Sequence, residues 1–257
     1  MSQKCISSVC ATVLKALNIE LPEGIDSPND ELCALAENSD RVVLYNPDAI
    51  AWWLYEKYPD YFEKARTCSK KHVKLRSVMP CVTPVCFASM YSGLMPEKHG
   101  ILKYEKPVLT VDTMFDYLIR AGKKAAIVSS SGDSISKIFL EREMDYFIYS
   151  TKHQVNMKAK KLIKEDKYDV IVIYNGDYDS NMHANGPEHK KSLKHLVKNI
   201  NTYEQFVRLI EKTYADKKVF YGFCPDHGCH EIDGSRGSHG LEMEEDMNVI
   251  HFYGSNK

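Results

Sequence analysis

No run of apolar residues in this 257-residue chain approaches the ~20 needed to cross a bilayer. The opening stretch, MSQKCISSVCATVLKALNIELPEG, has no basic segment leading into an uninterrupted apolar one. Neither a secretory leader nor a membrane span is therefore expected, and the chain reads as cytoplasmic. It also lacks an excess of charge of either sign: 34 basic residues stand against 35 acidic ones, a formal charge of -1. That excludes a general attraction to nucleic-acid polymers or anionic membranes. A small anionic substrate stays admissible, because bound metal ions would supply positive charge locally. Paired cysteine motifs are missing as well. The eight cysteines (5, 10, 33, 68, 81, 86, 224 and 229) are irregularly spaced, and Cys224 and Cys229 have no second pair to complete a zinc site. Free thiols that pack as small apolar side chains are expected. Internal repeats and low-complexity tracts are also absent.

What is present is an ordinary globular composition, 44% hydrophobic and 27% charged, enough for one sizeable core. A single domain over residues 1–257 is expected. Residues 3–17 carry apolar positions at helical spacing, and Pro22 and Gly24 end the pattern, so 1–40 reads as an N-terminal helix with a connecting arm. From Arg41 the rhythm alternates strand and helix, which argues for an α/β fold with a mostly parallel sheet covered on both faces. RVVLY leads to one helix over AIAWWLYEKYPDYFEKAR, and HVKLRSV reads as the next strand. TVDTMFDYLIRAG is an amphipathic helix closed by Gly122, followed by the strands KKAAIVSS and MDYFIYS. The helix TKHQVNMKAKKLIKED, the strand YDVIVIY, a long helix over 188–214 and the strands KKVFYGF and MNVIHFYG complete the chain.

Acids and histidines recur just past these strands. Asp48 follows RVVLYNP, Asp179 and His183 follow DVIVIYNGDY, Asp226 and His227 follow KVFYGFCP, and His239 sits in GSHG. The carboxyl ends of parallel strands converge on one edge, so residues this far apart in sequence can meet around metal ions. Thr83, in PCVTPVCFASMYSG, offers a hydroxyl that such ions could turn into a nucleophile. Each element has a plainer reading. Thr83-Pro84 also fits a helix N-cap and first turn, and a hydroxyl there would face N–H groups able to hold a phosphate oxygen. Asp226-His227-Gly228 also fits a capped turn. The Gly-Pro pair after YNGDYDSNMHA favours a tight loop over a solvated helix face, with Asp177 a rival to Asp179, and His230 and Glu231 are rivals near Asp226.

Four blocks together resemble the type I phosphodiesterase and nucleotide pyrophosphatase branch of the alkaline phosphatase superfamily: TPVCFASMYSGLMPEKHGI from Thr83, DSNMHANGP from Asp179, PDHG from Pro225, and GSHG followed by EDMNVIHFYG. The likeness covers about residues 41–254, in the family's block order. It implies an alkaline phosphatase-like sandwich with a mixed, mostly parallel central sheet, and residues 41–254 as the catalytic core. It further implies two divalent metal ions, usually zinc, with manganese also suited to a carboxylate-rich site. Carried over by position, Asp48, Thr83, Asp226 and His227 would hold one ion, and Asp179, His183 and His239 the other. The family's spacing selects Asp179 over Asp177. Thr83 would be the nucleophile, forming a phosphothreonine that water then hydrolyses.

The implied function is hydrolysis of a small phosphorylated substrate: a phosphodiester, pyrophosphate or monoester. A phosphonate (C–P bond) hydrolase and a non-catalytic metal-stabilised binding module are the alternatives, and the oligomeric state is left open. Three positions depart from the family pattern. Pro-Val-Cys follows Thr83 where many members have Phe-Pro-Asn, Met182 replaces a glycine, and Lys103 or Tyr104 stands where an asparagine helps hold the phosphoryl group. Nucleotide preference is thus not implied, and loops at 101–110 and 228–238 are the expected selectors. A sulfatase is excluded, because Cys81 is followed by Val-Thr-Pro-Val rather than x-Pro-x-Arg.

Overall fold

The computed structural model describes residues 3–257; Met1 and Ser2, at the start of the expected domain, lie outside the described residues. Its framework is a seven-stranded sheet built from β1 (Arg41–Pro47), β2 (Lys71–Arg76), β3 (Ala125–Ser130), β4 (Asp145–Tyr149), β5 (Val170–Asn175), β6 (Val219–Phe223) and β9 (Asn248–Ser255). Two short strands, β7 (His230–Ile232) and β8 (Arg236–Ser238), form a separate antiparallel ribbon. The sheet order is β2-β9-β6-β1-β5-β3-β4. β6, β1, β5, β3 and β4 pair in parallel, whereas β9 runs antiparallel to both β6 and β2. The expected mixed, mostly parallel α/β sheet is what is found.

The apolar runs of β1 and β5 divide strictly between two cores, because successive side chains on a strand point to opposite faces. Val42 and Leu44 of β1 and Val170, Val172 and Tyr174 of β5 face one core, under the helices Ser8–Ala16, Thr83–Ser92 and Met114–Arg120. Val43 and Tyr45, with Ile171 and Ile173, face the other, under the helices Lys152–Glu165 and Lys190–Thr213. Both faces are covered, so these strands need no polar side. Trimming one such residue, as in Ile171→Ala, should cost about 2–5 kcal/mol.

Three local expectations are corrected. The helix expected near the N-terminus is found as Ser8–Ala16, with eight of its nine residues buried, but the stretch read as a connecting arm carries a second helix, Asp30–Ala36. The single helix expected over AIAWWLYEKYPDYFEKAR is three pieces, Trp52–Lys57, a 3-10 turn Pro59–Phe62 and Glu63–Thr67. Pro59 cannot donate its backbone nitrogen and so ends the first piece. The segment after β5 is a helix, Asp177–Asn185, closed by Gly186 at φ 93. The Gly-Pro pair marks that helix's end, not a loop.

The topology gathers the chemistry on one edge. β6, β1 and β5 are neighbours and parallel, so the residues that follow them share an edge. Two successive reversals, β6 to β9 and β9 to β2, return β2 to the direction of β6. The segment leading from β2 to Thr83 and the loop that carries His239 into β9 therefore reach the same edge.

Candidate active site

Asp48, Asp226 and His227 are buried and offer ligand atoms within 4.8 Å of one another, and so do Asp179, His183 and His239. In the first group His227 Nε2 lies 3.3 Å from Asp48 Oδ1 and 3.4 Å from Asp226 Oδ2. Thr83 Oγ1 stands 3.3 Å from the same nitrogen and 3.5 Å from Asp48 Oδ2. In the second, His183 Nε2 is 3.3 Å from Asp179 Oδ1 and 3.1 Å from His239 Nε2. The rings of His227 and His239 stack at 3.9 Å, which joins the two groups into one site.

The donor set can be tested for a cation from its hydrogen bonds. Nδ1 of His227, His183 and His239 faces the carbonyl of Gly228 (2.9 Å), Gly237 (3.0 Å) and Cys81 (2.7 Å), respectively. A carbonyl only accepts, so each Nδ1 must carry the hydrogen, and each neutral ring presents a lone pair at Nε2. Those lone pairs point at one another and at carboxylate oxygens. Asp48 Oδ1, Asp226 Oδ2 and Asp179 Oδ1 are all buried without a hydrogen-bond partner among the described residues. Buried acceptors facing acceptors are costly unless a proton or cation sits between them. Two such clusters of imidazole and carboxylate fit divalent ions.

Charge tells the same story. With no cation counted, burial and then the neighbouring Asp48 push the Asp226 carboxyl well above its ordinary range. Burial, then His227, holds His239 down to about 3, so its Nε2 stays a free base. His183 moves upward, chiefly through its hydrogen bond to Asp179.

The backbone around Asp226 and His227 is fixed by named contacts. Ser77 Oγ donates to the Asp226 carbonyl (2.7 Å), His251 Nε2 donates to the Pro225 carbonyl (2.7 Å), and the Gly228 N–H donates to the Asp246 carbonyl (2.7 Å). A Cβ at position 228 would sit 2.0 Å from the Glu245 carbonyl oxygen, so only glycine lets the chain pass there. On the helix Asp177–Asn185, Asp179 and His183 stand one turn apart on one face. Met182 is buried against Gly237, where an added Cβ would meet its sulfur at 2.3 Å. That contact seats the β7–β8 ribbon, and with it His239, over the helix.

Thr83 is the first residue of the helix Thr83–Ser92. Val82 holds the N-cap position without a side-chain cap, and the Thr83 hydroxyl is directed to the site. The helix start offers less to a phosphate oxygen than its sequence suggests. Pro84 has no N–H, and those of Val85 and Cys86 both go to the Val82 carbonyl. Two of the rivals have partners elsewhere: Asp177 pairs with Lys198 (2.9 Å) and His195 (3.6 Å), and His230 with Asp246 (2.8 Å), while Glu231 is exposed on β7. His99 is buried at the end of the helix Pro96–His99 and bonded to Ser89 Oγ (2.9 Å). All eight cysteines are free. Sequence reasoning missed Tyr174, whose hydroxyl donates to Asp48 Oδ2. Its only signal was a polar-tipped aromatic at the end of an apolar run, where the strand meets the site.

No protein-family model and no curated protein sequence matches the chain. Solved structures do. Murine ectonucleotide pyrophosphatase/phosphodiesterase 5, in an inactive threonine-to-alanine form bound to AMP, superposes with a TM-score of 0.59 at 14% identity, over 76% of this chain and 58% of that one. The human protein of that name gives 0.58 at 16% identity, over 75% and 58%. The fold is that of the nucleotide pyrophosphatase/phosphodiesterase branch of the alkaline phosphatase superfamily. The chain spans 58% of the length of these two proteins.

Proposed function

We propose that this protein is a metal-dependent hydrolase of small phosphate esters, with Thr83 as nucleophile and residues 41–254 as its catalytic core. The observation that carries this reading is the convergence of partnerless acceptor atoms, Asp48 Oδ1, Asp226 Oδ2 and Asp179 Oδ1, with three imidazole lone pairs beside the Thr83 hydroxyl. Asp48, Asp226, His227 and Thr83 would hold one divalent ion, and Asp179, His183 and His239 a second. Zinc suits these ligands best. Bound there, the ions would lower the pKa of the Thr83 hydroxyl and offset charge on the phosphoryl oxygens.

Thr83 Oγ1 loses its proton to solvent and attacks phosphorus in line. The bond to the leaving oxygen breaks, and that oxygen takes a proton from water. A second water then cleaves the phosphothreonine, restoring the hydroxyl and releasing the phosphoryl product. His227, stacked on His239, fixes how far the two halves of the site stand apart. The murine structure, inactive with a threonine replaced by alanine, supports a threonine nucleophile, and its bound AMP supports a small phosphorylated substrate. Eight free thiols suit a reducing compartment, the cytoplasm.

The test is turnover of chromogenic phosphate mono- and diesters, and of a phosphonate panel, by zinc- or manganese-loaded protein with and without chelator. Ester hydrolysis that chelator abolishes is the expected result. Turnover of none of these compounds would reject the hydrolase, and turnover of phosphonates alone would replace it with C–P bond cleavage.

A further inference from the structure

We infer that Tyr174 is a positioning residue that decides which oxygen of Asp48 takes a metal ion. The inference rests on the two-ion reading above. Tyr174 is 4% exposed, and its hydroxyl donates to Asp48 Oδ2, leaving Asp48 Oδ1 as the partnerless atom that faces His227 Nε2 at 3.3 Å. A carboxylate free to turn about its last torsion could present either oxygen or both. Here one oxygen is engaged, so a single defined ligand atom remains. The same bond matters for Thr83. Asp48 Oδ2 is the carboxylate oxygen near the Thr83 hydroxyl, at 3.5 Å, and a phenol already bonded to it weakens its claim on that hydroxyl, which stays available to an ion and to phosphorus.

The surroundings hold Tyr174 in this pose. Its ring packs edge-on against Phe87 with centroids 5.6 Å apart, and Lys152 Nζ sits 5.0 Å from the ring centroid. Lys152 is itself held by Asp133 Oδ2 (2.7 Å), which also accepts from the Ser130 N–H (3.0 Å). A cation over the ring face is attracted to it and helps hold the ring in place. Gly176 is part of the device: a Cβ there would lie 2.9 Å from the Tyr174 hydroxyl oxygen and displace it. Asp48 is tied to the same strand through its N–H to the Asn175 carbonyl (3.0 Å), so phenol and carboxylate move together.

The experiment measures Zn²⁺ binding by the full chain against a chromogenic chelator, without substrate, for wild type, Tyr174→Phe and Gly176→Ala. Tyr174→Phe keeps the ring packing. It should weaken one of two Zn²⁺ sites by about 10–100-fold and leave the other at wild-type affinity. Gly176→Ala should weaken the same site with the phenol still present. Wild-type affinity at both sites in Tyr174→Phe overturns the inference, and so does equal weakening of both sites with a lowered metal-free melting temperature, which marks a merely structural tyrosine. Wild-type protein that binds no Zn²⁺ overturns the two-ion reading itself, which separates the two failures.

Discussion

The two ligand groups are alike in chemistry and unlike in what carries them. Asp48, Asp226 and His227 come from turns directly after the adjacent strands β1 and β6, and the His227 side chain is 0% exposed. Asp179 and His183 come from one helix and His239 from the loop beyond the β7–β8 ribbon, and the His183 side chain is 44% exposed. The buried group is set by sheet register. The open group is set by how a helix and a ribbon pack, with Met182 against Gly237 as the hinge pin. A buried, rigid, partnerless set should bind its ion more tightly and depend on it more for stability. An exposed set is where substrate and water can enter.

The largest expected effect ignores the difference between the groups. Thr83→Ala should lower ester turnover by about four orders of magnitude while both ions stay bound. Loss of an ion along with activity would recast Thr83 as chiefly a ligand.

Asp226→Asn and Asp179→Asn then set the groups against each other. Asp226→Asn should remove the buried ion. It should also make the metal-free protein more stable at pH 7, by on the order of 1–3 kcal/mol, because a carboxylate that burial disfavours is gone. Asp179→Asn should release the open ion with little change in metal-free stability. Thermal melts of both variants, with and without zinc, check this, and identical behaviour would erase the distinction.

Acidity sharpens the same contrast. In the metal-free fold Asp226 has a pKa raised above its unfolded value, so the folded chain holds a proton that the unfolded chain releases. Stability from this group is present at low pH and is lost as pH rises from the unfolded value through the folded one. A bound cation displaces that proton, so the rise in melting temperature on adding zinc should be larger at pH 8 than at pH 5. An equal rise at both would mean that Asp226 binds no ion. An effect confined to the buried group is expected from Gly228→Ala. Its Cβ meets the Glu245 carbonyl at 2.0 Å and must shift the turn after His227, costing about 1–3 kcal/mol and weakening only the buried ion.

Much of the fold was legible because β1 and β5 are buried on both faces, which forces unbroken runs such as VIVIY that no surface element shares. The edge on which ligands gather followed from strand direction alone. What stayed hidden depends on contacts across the sheet. The Tyr174 hydroxyl reaches Asp48 from a neighbouring strand 126 positions away, and nothing local to either residue announces it. The helix Asp177–Asn185 was obscured because its asparagines and aspartates favour turns in isolation, and packing against the helix Lys190–Thr213 overrides that preference. The burial of the first helix was hidden by its position ahead of the alternating pattern.

The most direct test of the account is metal content by elemental analysis of zinc-saturated protein freed of unbound zinc by gel filtration. The account predicts two ions per chain in wild type and in Thr83→Ala, and one in Asp226→Asn, the survivor being the ion held by Asp179, His183 and His239. No ion in the wild type, or one that Asp226→Asn leaves in place, would contradict it.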